Sequence, residues 1–143
     1  MYFDDLKIGM TVETAPAVIE KEKMMAFAFD YDNIPLHTDE EYAKSTRFGG
    51  LIAPGVMSFL CVWAKYLEVD FFGEELIAGM STKIEWFRPV FAADTLTAEA
   101  EITKLTKRND AVYFIHYLSD KIKLLFLPFS YIHYQNNYLL LEP

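Results

Sequence analysis

The sequence predicts an α+β domain in which an antiparallel sheet wraps around one long apolar helix. The run Val56–Leu67 is apolar nearly all round until Lys65, and such a helix must be buried on most sides. Two later segments alternate with the period of a strand. Met80, Thr82, Ile84 and Trp86 interleave with Ser81, Lys83, Glu85 and Phe87, and Leu96, Ala98, Ala100 and Ile102 with Thr97, Glu99, Glu101 and Thr103. That is the pattern of half-buried antiparallel strands. A length of 143 residues, 52% of them hydrophobic, suits a single domain, 1–143, with one core.

The elements follow in order. Residues 4–14 lead in, with Gly9 turning the chain into a short strand at Thr11–Thr14. Glu20–Phe29 favours helix, with Met24, Met25, Phe27 and Ala28 apolar and Lys21, Glu22 and Lys23 solvated. Pro35 removes a donor and pushes Ile34 out of helical geometry, so a bent loop is expected through His37. Thr38, with Glu41 three residues on, reads as the capping box of a further helix. Pro54-Gly55 opens the long apolar helix. Beyond the two alternating strands, Arg108-Asn109-Asp110 signals a turn and Ala111–Leu118 another strand. Leu124–Leu141 contains no Asp, Glu, Lys or Arg. Strands are expected near Leu124–Leu127 and Tyr131–Tyr134, forming an interface or aggregation-prone edge if left uncovered.

Bulk chemistry narrows the function. A formal charge of −8 and a pI near 4.8 argue against nucleic acid, whose phosphates are met by a basic face. One cysteine, Cys61, excludes an internal disulfide or a cysteine-based metal site within one chain and fits a reducing compartment, so a cytoplasmic location is expected. The start Met1–Asp5 lacks the basic and apolar regions of a signal peptide. The apolar stretches also fall short of the roughly 18 to 20 residues of a membrane helix, so no membrane role is expected.

The densest chemistry lies between Tyr31 and Gly55: Tyr31-Asp32-Asn33-Ile34-Pro35-Leu36-His37, then Phe48-Gly49-Gly50-Leu51-Ile52-Ala53-Pro54-Gly55. Asp32 and His37 fall on opposite faces of a strand and about 140° apart on a helix. A bend is therefore needed to aim both into one cavity. An acid, an imidazole able to exchange protons near neutrality, and a glycine at a helix start, whose open amides attract negative charge, are the equipment for adding water to an activated double bond. Each has a plainer use as well: Asp32 as a turn residue, His37 as a loop histidine, Gly55 as a helix start.

Asp-x-x-Pro-Leu-His followed by Ala-Pro-Gly resembles the MaoC-like dehydratases and the related (R)-specific enoyl-CoA hydratases, which have the hot-dog fold. A second stretch, Ile84-Glu85-Trp86-Phe87-Arg88-Pro89-Val90-Phe91-Ala92-Ala93-Asp94-Thr95-Leu96, resembles the strand, Arg-Pro-Val bend and Asp-Thr-Leu strand start of that family. The similarity covers residues 1–119 and leaves 121–143 as an unmatched C-terminal tail.

The resemblance implies hydration of a trans-2-enoyl thioester, or the reverse dehydration of an (R)-3-hydroxyacyl thioester. It makes His37 the base for water, Asp32 the group exchanging the α-carbon proton, and the Gly55 N–H the donor to the thioester oxygen. Tyr31, Asn33, Ala53, Pro54, Met57 and Arg88 complete the expected substrate-binding set, Arg88 meeting a coenzyme A phosphate or fixing the strand bend. No metal or redox cofactor is expected, coenzyme A entering only as part of an acyl-CoA or acyl-carrier substrate. The family's paired sheets imply at least a homodimer. His116 reads as a core or interface residue and Cys61 as packing; His133 has no assigned role.

One departure is Ile34 where the hydratase pattern has asparagine before the proline, with Asn33 one place earlier. It keeps open a catalytically silent thioester-binding or assembly subunit. A hot-dog thioesterase, the other alternative, wants a carboxylate in or beside the central helix, where the only candidate is Glu68.

Overall fold

The computed structural model describes the backbone at residues 6–70, 79–106, 112–118, 122–129, 133–135 and 138–140, and side chains at 6–70, 84–103 and 105. The chain runs β1 (Thr11–Glu13), β2 (Ala17–Val18), α1 (Lys21–Tyr31), α2 (Pro35–Thr38), α3 (Glu40–Ser45), α4 (Gly55–Glu68), β3 (Gly79–Trp86), β4 (Thr95–Leu96), β5 (Glu99–Thr106), β6 (Val112–Leu118), β7 (Ile122–Phe129), β8 (His133–Gln135) and β9 (Tyr138–Leu140). Five strands form one antiparallel sheet in the order β1-β5-β6-β7-β3, while β2 pairs with β4 and β8 with β9. This is the predicted α+β, hot-dog architecture.

The alternation in β4 and β5 sets the inner face of the sheet. Leu96, Ala98, Ala100 and Ile102 are all buried, while Thr97, Glu99 and Thr103 are exposed. Opposite them α4 contributes Met57, Val62 and Tyr66, and Ile19, Met24, Ala43 and Leu51 close the core from the α1 and α3 side. Each large apolar side chain buried here stabilises the fold by roughly 1.5–3 kcal/mol. Among the described residues no helix is long and apolar enough to cross a membrane.

Four expectations are corrected. First, α4 is not buried on most sides: Val56, Leu60 and Leu67 are 49%, 42% and 48% exposed. A sheet covers one face of a helix, and among the described residues nothing covers these three side chains. Second, the segment through His37 is a turn of helix, α2, with Pro35 in its first turn. Proline tolerates that position because its missing N–H has no intrahelical acceptor there, and Ile34 is extended as expected, at φ −111° and ψ 150°.

Third, the cap of α3 is Asp39, whose carboxylate accepts from the Tyr42 N–H at 2.9 Å. Thr38 belongs to α2 and donates to the Ile34 carbonyl. Fourth, the strand expected near Leu124–Leu127 is present as β7, but it is interior rather than an edge, lying between β6 and β3 with Phe126 paired to both Thr82 and Ile115. Pro128 falls inside β7, near its end and opposite the edge strand β3. The side chains of His116 and His133 lie outside the described residues.

Candidate active site

One segment positions the site. Between α3 and α4 the chain passes through Ile52 and Ala53. The Ile52 N–H donates to the Leu36 carbonyl of α2, the Ala53 N–H donates to the Val90 carbonyl at 2.7 Å, and Ile52 forms an isolated bridge with Phe91. These two residues therefore tie α2, the bend after β3 and the start of α4 into one wall.

Asp32 caps the C-terminal end of α1, with φ −152° and ψ 59°, its N–H donating to the Ala28 carbonyl. Five residues later α2 presents His37, whose side chain is only 7% exposed. The His37 Nε2 lies 3.4 Å from Asp32 Oδ2, and the His37 Nδ1 lies 2.7 Å from the Ile52 carbonyl oxygen. A carbonyl only accepts, so Nδ1 carries the proton. The tautomer this favours turns the other ring nitrogen, Nε2, toward Asp32, at a distance that one shared proton can bridge.

The third part is the beginning of α4. Its cap residue is Pro54, which supplies no side-chain acceptor, so the first-turn amides of Gly55 and its successors have none from the cap. The Ser58 N–H closes the first helical bond to Pro54 O, and the buried Ser58 Oγ donates to the same carbonyl at 3.3 Å. Gly55 is glycine for a packing reason. A Cβ there would lie 2.6 Å from Cε2 and Nε1 of the Trp86 indole.

These groups open into a pocket of about 540 Å³, in the range of small-ligand sites. Of the nine residues expected from the sequence, it brings together Asp32, His37, Ala53, Gly55 and Arg88. The other four do not line it. Tyr31 is 77% exposed and sets its ring at a tilt against Phe27, Asn33 is exposed and accepts from Thr38, Pro54 is buried behind the helix start, and Met57 points into the core. α1 ends at Tyr31, which turns its ring away from the pocket that Asp32 enters.

The sequence reading missed Arg47, Phe48, Ser58, Trp86 and Phe87 in the wall. Arg47 and Phe48 sit only a few residues before Ala-Pro-Gly, and Trp86 and Phe87 lie within the quoted strand and bend; their neighbours were the available signal. Glu68, the carboxylate a thioesterase reading requires, lies at the far end of α4, paired with Lys65 and away from the pocket.

An antiparallel sheet folded over a central helix, with an acid and an imidazole meeting at the helix mouth, defines this protein as a hot-dog domain with a candidate proton-transfer site. The chain belongs to the MaoC-like domain family, whose model matches residues 5–118. It is 32% identical over 112 residues to the uncharacterised protein YdeM of Bacillus subtilis, spanning 77% of this chain and 79% of that one. It is 29% identical over 113 residues to an (R)-specific enoyl-CoA hydratase of Rhodospirillum rubrum, spanning 79% and 77%. The crystal structure of a MaoC-like dehydratase from Rhodospirillum rubrum superposes with a TM-score of 0.76 at 25% identity, over 90% of this chain and 97% of that one.

Proposed function

We propose that the protein adds water to a trans-2-enoyl thioester, or removes it from an (R)-3-hydroxyacyl thioester, using Asp32 and His37. The observation that carries this is the Nδ1–Ile52 hydrogen bond, which leaves Nε2 as the basic nitrogen and aims it at Asp32 beside the open start of α4. The family and the (R)-specific enoyl-CoA hydratase relative support hydratase or dehydratase chemistry.

A water beside the pair, within reach of His37 Nε2, gives it a proton as its oxygen bonds to C3 of the enoyl group. The C2–C3 π electrons move toward the thioester carbonyl, whose oxygen gains charge against the Gly55 N–H and the N-terminal dipole of α4. Asp32, taking up the proton that the pair shares, delivers it to C2. Transfer from Nε2 to Oδ2 across 3.4 Å restores the starting state. Dehydration runs the same path backwards. No electrons are gained or lost overall, so the chemistry calls for no redox cofactor, and coenzyme A or a carrier arm enters as part of the substrate. The single cysteine fits a cytoplasmic setting.

Incubation with crotonyl-CoA tests the reading. Loss of the enoyl absorbance without release of free thiol is the expected result. Thiol release would indicate a thioesterase, and neither change would indicate a silent binding subunit.

A further inference from the structure

We infer that Arg47 and Arg88 form a phosphate-recognition pair at the rim of the pocket, reading the phosphate-bearing arm of the substrate. The inference rests on the thioester reading and deepens it. The sequence has three arginines in all, and two of them, from unrelated segments, line this one pocket. Arg47 comes from the loop before α4 and Arg88 from the bend after β3.

Their charge is uncommitted. Lys21, Lys23, Lys44 and Lys65 each pair with a glutamate, whereas among the described residues no carboxylate pairs with Arg47 or Arg88. Arg47 instead lays its guanidinium over the Phe48 ring, 4.9 Å from its centre, which braces it and leaves N–H groups available. On a chain of net charge −8, a multiply anionic ligand is repelled by the overall field. Two unneutralised guanidiniums at one opening are then the local feature that offsets the repulsion.

The distribution of burial says which end of the ligand they meet. His37, Ala53, Ser58 and Val90 are buried pocket residues and offer no arginine or lysine, so the interior suits an uncharged acyl group. Both arginines are exposed, at the solvent side of the pocket they line, where the carrier arm rather than the acyl end belongs. Phosphate is the anion a pantetheine arm carries, and guanidinium binds it through paired N–H donors. Coenzyme A and a carrier protein both present that phosphate, the former adding its nucleotide phosphates.

The full-length protein and its Arg47→Gln, Arg88→Gln and double variants would be compared on three thioesters: crotonyl-pantetheine, crotonyl-4′-phosphopantetheine and crotonyl-CoA. Expected is a rise in KM of about tenfold per variant on crotonyl-CoA with kcat unchanged, and no change on crotonyl-pantetheine, which has no phosphate. A full effect already on the phosphopantetheine thioester assigns the pair to the phosphate common to both carriers; an effect confined to crotonyl-CoA assigns it to the nucleotide phosphates. Equal losses on all three substrates, or no loss on any, overturn the proposal. So does an arginine dependence seen on a carboxylated enoyl-pantetheine, which would move the pair to acyl recognition.

Calorimetric binding of coenzyme A separates the two readings. Binding to the unmodified protein that weakens in both variants supports the pair even if no thioester is turned over, in which case only the hydratase reading falls. Absence of coenzyme A binding to the unmodified protein overturns the pair.

Discussion

The Trp86 indole lies against Gly55, so close that a side-chain carbon at residue 55 would stand 2.6 Å from two of its ring atoms. The limit is packing rather than backbone strain, because Gly55 is a helical residue without a positive φ. The glycine at the mouth of α4 therefore admits an aromatic wall against the helix start.

Gly55→Ala forces the indole aside, and overpacking of this kind costs about 1–3 kcal/mol. Trp86→Leu should relieve most of that cost, so the melting temperatures of the single and double variants are expected to be non-additive. Additive melting shifts would dismiss the contact. Turnover that stays low in the refolded double variant would trace the loss to the amide approach itself.

Asp32→Asn is the cleanest test of the proton-transfer pair. The Asp32 side chain is 44% exposed, so the change should leave the melting temperature nearly unmoved while lowering crotonyl-CoA hydration by at least about a hundredfold. His37→Ala should lose a comparable amount of activity and also some stability, because it leaves the Ile52 carbonyl without its donor. The losses of the double variant should be far less than multiplicative. Wild-type activity in either single variant would defeat the assignment.

The cap of α3 distinguishes two neighbours. Asp39→Ala removes the acceptor of the Tyr42 N–H and is expected to cost about 1 kcal/mol, a shift of a few degrees in Tm. Thr38→Ala deletes an α2 hydroxyl that donates back to the Ile34 carbonyl and the Asn33 side chain and caps no N–H of α3, and should cost less. The reverse order in thermal melts would restore Thr38 as the cap.

Val56, Leu60 and Leu67 leave one side of α4 apolar and open, and such a stripe is unfavourable in water. The protein is expected to run as at least a homodimer in light scattering, against a chain mass of 16.6 kDa. Leu60→Glu should shift it toward monomer, and a monodisperse monomer of the unaltered protein would refute the expectation. Deletion from Lys121 onward removes β7 from between β6 and β3; the truncated chain is expected to be insoluble or unfolded rather than a smaller oligomer. A cooperative melt in the truncated chain would count against it.

The local sequence determined what depends on local chemistry. The alternation at Leu96, Ala98, Ala100 and Ile102 assigned an inner face that the structure buries, since side chains on a strand change sides at every residue. The long helix was legible from its apolar run, and Asp32 and His37 as a pair from their types and spacing around Pro35, although the segment joining them is a helical turn rather than the expected bent loop. The misreadings were of neighbours. Thr38 and Asp39 both have capping side chains, and one residue's shift in the end of α2 decides between them.

Tertiary structure alone decided the rest, because it depends on segments far apart in the chain. That Nε2 rather than Nδ1 of His37 is the basic nitrogen follows from a carbonyl fifteen residues away. That Arg47 and Arg88 share an opening follows from the bond between Ala53 and Val90, which brings the start of α4 to the bend after β3. The charge-free run after Lys123 carries no periodic signal of where it belongs, and only pairing with β3 and β6 makes its first strand interior. Periodicity reports which face of an element is apolar; it does not report which partner covers that face, and a site built where several elements meet is specified by those partners.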